Sequence, residues 1–464
     1  VQKKNERRES MSNFAQKHTR ISTFHLLSDE NPQMELELLH HSKWKKAVLI
    51  IPLLATEFTS PENRPVFENM AQQLSSATYL SQIIFGLDRA SVEEAYDLAG
   101  LLNRFGVKNY LIQHNDGPGF SSIYQKLSDA GFGLDEPGKG RNMFMSFGIA
   151  LAMGAQTIGL VDADIRTFER QQLDRLFYPV QALNYQFSKA YYARIKDKQI
   201  YGRVKRLLLD PLLIALKRKF TETQEEKVLR LVDFLLGFHY QLSGEVVFDA
   251  QLLKRMHFAT DWGVEIFTLI EIYRKASSCA QVEISQEPFD HKHQPVSEDD
   301  RTRGLYRMGI DIVTTLLSAL VIEEGLEISE HFIRDLTTTY LSVADDLIKM
   351  YADNSAFCGL VYDTNKEEEM VDKVFKNVIL FAGDLLLSPS FVVNRFTSFV
   401  SAHNEFQPFI EQGLLDVIEK TGESIRSDIY ETPKTVSWER VTRKLPSIIN
   451  EIVDVVESEK KLYR

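Results

Sequence analysis

Short apolar runs alternating with helix-periodic stretches dominate the first third of the chain. Ala47-Val48-Leu49-Ile50-Ile51-Pro52-Leu53-Leu54 is almost unbroken in apolar character, as a strand buried on both faces must be. Similar runs follow at residues 82–87, 110–113 and 157–161, and helical patterns at 65–74, 91–105 and 141–153 lie between them. Strands alternating with helices predict an α/β domain with a mainly parallel sheet, whose ligands bind beyond the carboxyl ends of the strands. From about residue 300 the pattern changes to long amphipathic stretches, at 305–324, 329–351, 367–387, 408–421 and 438–458, which predict an all-α region. The reading is therefore a polar N-terminal arm over 1–45, an α/β domain over 46–299 and a helical C-terminal domain over 300–464.

Composition narrows the function. The 464 residues are 44% hydrophobic and 26% charged, which supplies ample material for a core. A formal charge of −11 argues against a nucleic-acid binder but permits an anionic substrate held by a local cluster of cations. With no run of about 18 apolar residues, no membrane helix is expected. Residues 1–12 are polar and charged, unlike a signal peptide, so the expected location is the cytoplasm. Cys279 and Cys358 match no zinc or redox spacing and read as two buried thiols.

Candidate chemistry gathers where strands end. Asp162 and Asp164 follow the run at 157–161, and residues two apart on an extended backbone face one side. Two hard oxygen donors suit Mg²⁺ or Mn²⁺ bridging to a diphosphate, although solvated loop acids give the same pattern. Pro137-Gly138-Lys139-Gly140 precedes a helix, where glycines admit a ligand and the helix N-terminus and Lys139 favour an anion; a plain turn is the alternative. Ser243-Gly244-Glu245 and Asp261-Trp262-Gly263-Val264-Glu265 offer acids and an indole for a sugar, or simply a turn and a helix with Asp261 as its N-cap. His291 or His293 could complete a metal shell. Tyr201-Gly202-Arg203-Val204-Lys205-Arg206 is a basic cluster suited to a phosphate or carboxylate, or a solvated helix start.

In this order the motifs resemble those of glucosyl-3-phosphoglycerate synthases and, more loosely, mannosylglycerate synthases. The series is Pro137-Gly138-Lys139-Gly140, Val161-Asp162-Ala163-Asp164, Gly202-Arg203-Val204, Leu242-Ser243-Gly244-Glu245, Gly263-Val264-Glu265-Ile266 and His291-Lys292-His293-Gln294-Pro295, and the likeness spans roughly residues 47–320. The resemblance implies a GT-A fold and glycosyl transfer with retention of configuration, dependent on Mg²⁺ or Mn²⁺. It implies Asp162, Asp164 and His291 at the metal, and Glu57, Gly138, Lys139 and Asp162 at the nucleotide-sugar donor. Arg203, Lys205, Ser243 and Gly244 would serve a glycerate-type acceptor, with Asp164 and Glu265 beside the reacting sugar. Two departures stand out. The first-strand loop reads Pro52-Leu53-Leu54-Ala55-Thr56-Glu57 instead of the usual Asn-Glu-Glu pattern, and Lys205 replaces a common Thr. They leave open the donor base and whether the acceptor is 3-phosphoglycerate or D-glycerate.

The expected reaction is glucosyl transfer from a nucleoside diphosphate glucose, by a cytoplasmic homodimer without nucleic-acid or membrane partners. Alternatives are mannosyl transfer from GDP-mannose, nucleotidyl transfer, and an inactive sugar-binding protein.

Overall fold

The continuous apolar run forms β2 (Ala47–Leu54), whose side chains are buried on both faces up to its last residue. A computed structural model describes residues 16–28, 31–132, 134, 137–290, 304–387 and 435–463. The other strands of the main sheet are β1 (Ile21–Phe24), β3 (Leu80–Asp88), β4 (Tyr110–His114), β5 (Thr157–Leu160), β6 (Phe187–Tyr191), β9 (Val246–Asp249) and β11 (Cys279–Glu283). Between β6 and β9 lies a small hairpin of β7 (Ile195–Lys196) and β8 (Gln199–Ile200). A second small pair joins β10 (Phe258–Ala259) to β12 (Thr435–Val436).

The eight strands lie in the order β1-β11-β6-β9-β5-β2-β3-β4. Neighbours are parallel except at β9, which runs against both β5 and β6. This is the mainly parallel α/β architecture expected from the alternation. β1, β6 and β11 were not legible as strands because they are short and carry polar residues. In β6 the ammonium-bearing Lys189 is buried, and it breaks the apolar pattern. Part of the segment read as a polar arm thus supplies a parallel edge strand, with helix Pro32–His41 lying peripheral to it.

Helix Lys139–Ala152 is buried on every side from Gly140 to Ala150. It lies across β2 and β3, and Asn142 donates to the Gly86 carbonyl at 2.6 Å. The helical region begins with Gly304–Glu324 and Glu330–Cys358, followed by Thr364–Met370, which passes through a wide turn at Val371–Phe375 into Lys376–Leu387. It shares one apolar core with the α/β layers. Tyr340, for example, reaches across to donate to the Leu207 carbonyl at 2.6 Å. Contrary to the expectation from the sequence, residues Gly304–Ile322 are apolar and long enough to cross a membrane despite Arg307 and Asp311; 78% of that window is buried inside the protein.

The last segment returns to the sheet. Trp438 stacks on Phe144 with ring centroids 4.6 Å apart, and its indole N–H donates to the Phe144 carbonyl at 2.8 Å. Gly148 makes room for the indole, since a Cβ there would lie 1.9 Å from the ring. The single stretch expected at 438–458 is two helices, Trp438–Lys444 and Ile448–Leu462, because Pro446 cannot donate to a continuing helix and bars its predecessor from helical geometry. The expected helix at 408–421 lies outside the described residues. Of the two cysteines, Cys279 is buried as expected, whereas Cys358, on the last turn of its helix, is exposed.

Candidate active site

β5 ends at Leu160, so Asp162 and Asp164 emerge at the carboxyl edge of the sheet. The reversal of β9 explains their neighbours. Leu160 pairs with Val246, and because β9 enters from the ligand edge, Ser243-Gly244-Glu245 arrives beside Asp162. The approach is tight: a Cβ on Gly244 would lie 2.4 Å from Asp162 Oδ2. Gly138 caps helix Lys139–Ala152, and from its first turn the Lys139 ammonium lies 2.9 Å from Asp162 Oδ1 and 3.0 Å from Glu265 Oε1. Glu265 stands in the first turn of helix Val264–Lys275. Burial disfavours the charged form of Lys139, but attraction to Asp162 and Glu265 outweighs it and raises its pKa well above the ordinary lysine value. Lys139 is therefore a fixed cation.

The residue that caps helix Val264–Lys275 is Gly263, not Asp261. The half-buried Asp261 carboxylate instead accepts the Gly263 N–H at 2.8 Å, and desolvation together with the nearby Asp311 raises its pKa. The Trp262 backbone N–H donates to the Asp311 carboxylate, which fastens the Trp262 loop to helix Gly304–Glu324.

A second, basic group of residues lines the same cleft. Tyr201, Gly202, Arg203 and Lys205 line it together with Arg194 and Tyr240, while Lys139, Asp162, Asp164, Glu265 and Trp262 line the acidic side. Gly202 has φ +78, a conformation that side chains resist, and its turn aims Arg203 into the cleft. The half-buried Arg203 guanidinium makes no hydrogen bond or ion pair among the described residues, and burial lowers its pKa. Lys205 is paired with Asp210. The segment does start a helical stretch, at Val204–Leu209, but a packed one rather than a solvated one, with Arg206 only 4% exposed. Leu305, Met308 and Ile312 from the helical region complete the lining.

The structure thus gathers Lys139, Asp162, Asp164, Arg203, Lys205 and Glu265 around one cleft. Ser243 stands behind it, 1% exposed, with its hydroxyl donating to the Ala190 carbonyl at 2.7 Å. Glu57 is buried in the short helix Thr56–Thr59 after β2, outside the lining. His291 and His293 lie outside the described residues; the preceding Asp290 accepts the Arg166 N–H on its carbonyl at 2.9 Å. Sequence reasoning missed Arg194, whose only signal was a cation shortly before the basic cluster. It also missed Lys189, which donates to the Ser243 carbonyl at 2.7 Å and whose pKa burial lowers to about 8.

Two carboxylates at a strand end, a lysine at a helix N-terminus and a basic wall facing them, on a mainly parallel sheet, make up a GT-A glycosyltransferase. No family model matches the chain. It is 32% identical over 446 residues to a glucosyl-3-phosphoglycerate synthase of Persephonella marina, a match covering 95% of this chain and 96% of the relative. It is 30% identical over 369 residues to another of that name from Methanococcoides burtonii, covering 78% and 88%. The chain belongs to the glucosyl-3-phosphoglycerate synthase family. Among solved structures it is similar to the Mycobacterium tuberculosis glucosyl-3-phosphoglycerate synthase in complex with Mn²⁺, uridine diphosphate and glucosyl-3-phosphoglycerate (21% identity, TM-score 0.46, covering 67% of this chain and 90% of that one). It is also similar to the Rubrobacter xylanophilus mannosyl-3-phosphoglycerate synthase (20% identity, TM-score 0.48, 67% and 86%).

Proposed function

We propose that this enzyme transfers glucose from a nucleoside diphosphate glucose to 3-phosphoglycerate, with retention of configuration. The observation that carries this reading is the division of charge across one cleft. Acids and a fixed lysine stand at the strand and helix ends, and three further cations, Arg194, Arg203 and the Asp210-paired Lys205, line the same cleft. A carboxylate and a phosphate on one small acceptor need more than a single cation, which favours 3-phosphoglycerate over D-glycerate. The names of the relatives support the same acceptor.

The donor set fits Mg²⁺ or Mn²⁺. Asp162 and Asp164 supply hard oxygens, and the lysine ammonium lodged against Asp162 and Glu265 indicates a field that stabilises cations. Among the described residues no three His, Cys, Asp or Glu side chains converge, so the remaining ligands would be the diphosphate, water and His291. When bound, the metal would neutralise charge growing on the departing diphosphate. Lys139 and the N–H groups of its helix turn would assist from the protein side. Arg203 would hold one anionic end of the acceptor and aim its hydroxyl at the sugar, while Glu265 would accept a sugar hydroxyl and Glu57 would stand near the nucleoside. Gly244 keeps space for Asp162 beside the acceptor.

Both substrates are intracellular metabolites, which supports a cytoplasmic enzyme. Met350 and Phe357, seven apart on one helix and 61% and 90% exposed, support a homodimer, which the sedimentation velocity of the purified chain would test. The deciding experiment measures nucleoside diphosphate release for UDP-, GDP- and ADP-glucose and GDP-mannose, each with 3-phosphoglycerate or D-glycerate, with Mg²⁺, Mn²⁺ or EDTA. Release that needs a glucose donor, 3-phosphoglycerate and metal is expected. Turnover only with GDP-mannose or only with D-glycerate would replace the assigned substrate.

A further inference from the structure

Among the contacts that join the acceptor wall to the helical region is one buried ion pair. Arg206 follows directly on the segment that carries Arg203 and Lys205, but its side chain turns away from the cleft. Its guanidinium forks onto Glu367 of helix Thr364–Met370, with Nη1 to Oε2 at 2.7 Å and Nη2 to Oε1 at 2.9 Å. The remaining donors reach back to the acceptor segment: Nε to the Tyr201 carbonyl at 3.1 Å and Nη2 to the Ile200 carbonyl at 3.4 Å. Tyr351 lies under the guanidinium at 4.9 Å, and Tyr362 donates its hydroxyl to Glu367 at 2.8 Å. A second tie stands beside the first, where the Val361 N–H donates to the Lys198 carbonyl at 2.7 Å and Val361 bridges to Gln199.

A planar fork satisfied on both sides fixes position better than a flexible lysine could. Here it fixes the backbone of residues 200 and 201, immediately before the left-handed Gly202 whose turn aims Arg203. The pair is buried, with the Arg206 and Glu367 side chains 5% and 12% exposed. We propose that Glu367, acting through Arg206, is a positioning residue for the acceptor: the helical region sets the place of Arg203 and thereby the affinity for the acceptor's anionic end. This inference rests on the proposed acceptor reading.

The experiment compares wild type with Glu367→Gln and Arg206→Lys in steady-state kinetics against 3-phosphoglycerate and the preferred donor. It adds amide hydrogen exchange over residues 199–206, and calorimetric titration of the donor as a test of folding. The expected result is an acceptor KM raised about tenfold or more in both variants, with donor KM and donor binding within about twofold of wild type. Exchange over 199–206 should rise at the same time. An unchanged acceptor KM in folded variants overturns the positioning role, as does a fall in kcat with both KM values unmoved. Should wild type show no turnover with 3-phosphoglycerate, the acceptor reading fails separately, and exchange then decides the mechanical half of the inference. Unaltered exchange over 199–206 in Glu367→Gln would overturn the coupling whatever the acceptor is.

Discussion

The two walls of the cleft are built on different principles. On the acidic wall the proposed site residues stand on or close to regular elements: Asp162 and Asp164 in the turn that follows β5, Lys139 and Glu265 in the first turns of two helices. Lys139 bridges two of that wall's acids, Asp162 and Glu265. The basic wall is carried mainly by the segment after β8, where the Gly202 turn leads into a wide helical turn at Val204–Leu209 that continues as helix Asp210–Thr223, and Arg206 in that turn is held by a glutamate 161 positions away. Arg203 there is left without a partner among the described residues, half-buried and ready for an anion. A wall that takes its shape from strand ends tolerates change elsewhere in the molecule, whereas a wall propped from outside transmits such change to its ligand.

Substitutions can test that contrast. The largest effect is expected from Asp164→Ala, which should lower kcat by about a thousandfold or more, because it removes charge stabilisation needed at the departing diphosphate. Turnover near wild type would remove Asp164 from the reaction. Next comes Gly244→Ala. The new Cβ would lie 2.4 Å from Asp162 Oδ2, so the carboxylate must swing away. Activity should fall about 10- to 100-fold with little loss of thermal stability, and a normal rate would show that Asp162 can move freely. Arg203→Ala probes the other wall. It should raise the acceptor KM about 10- to 50-fold while donor KM stays put, since a charged hydrogen bond to one substrate is lost. Equal effects on both substrates would merge the two walls into one functional unit.

The smallest effect lies away from both walls, on the closing helix Ile448–Leu462. Glu459 is 6% exposed, and burial raises its pKa to about 7. An acid whose folded pKa exceeds its unfolded value keeps its proton longer when folded. Stability is therefore lost as pH rises from about 4.5 to about 7. Glu459→Gln should remove that loss, gaining about 1–2 kcal/mol at pH 8 and nothing at pH 4. Urea denaturation at the two pH values measures it, and a gain equal at both would mean that packing, not ionisation, is responsible.

Much of the acidic wall was legible because periodicity locates strand and helix ends, and ends are where backbone groups and short spacings point at ligands. Asp-Ala-Asp after an apolar run and Gly-Lys-Gly before a helical one needed no knowledge of distant segments. Their meeting with Ser243-Gly244-Glu245 was not readable, because it follows from β9 running against its neighbours, which is a pairing choice and not a local propensity. Lys189 illustrates the same limit: a lysine in a short run argues against a buried strand, yet the Ser243 carbonyl satisfies it there.

What the sequence by itself determined is the alternation that builds the sheet, the side of it on which chemistry gathers, and the residue types at each strand and helix end, since all of these are encoded within a dozen neighbouring positions. Only the tertiary structure decided that Ser243 faces inward while Arg194 faces the cleft, that residues 21–24 join the sheet, and that Glu367 grips Arg206. Each of these depends on contacts between segments far apart in the chain. Such contacts form only when the whole core closes, and the pattern along the chain carries no distance information about them.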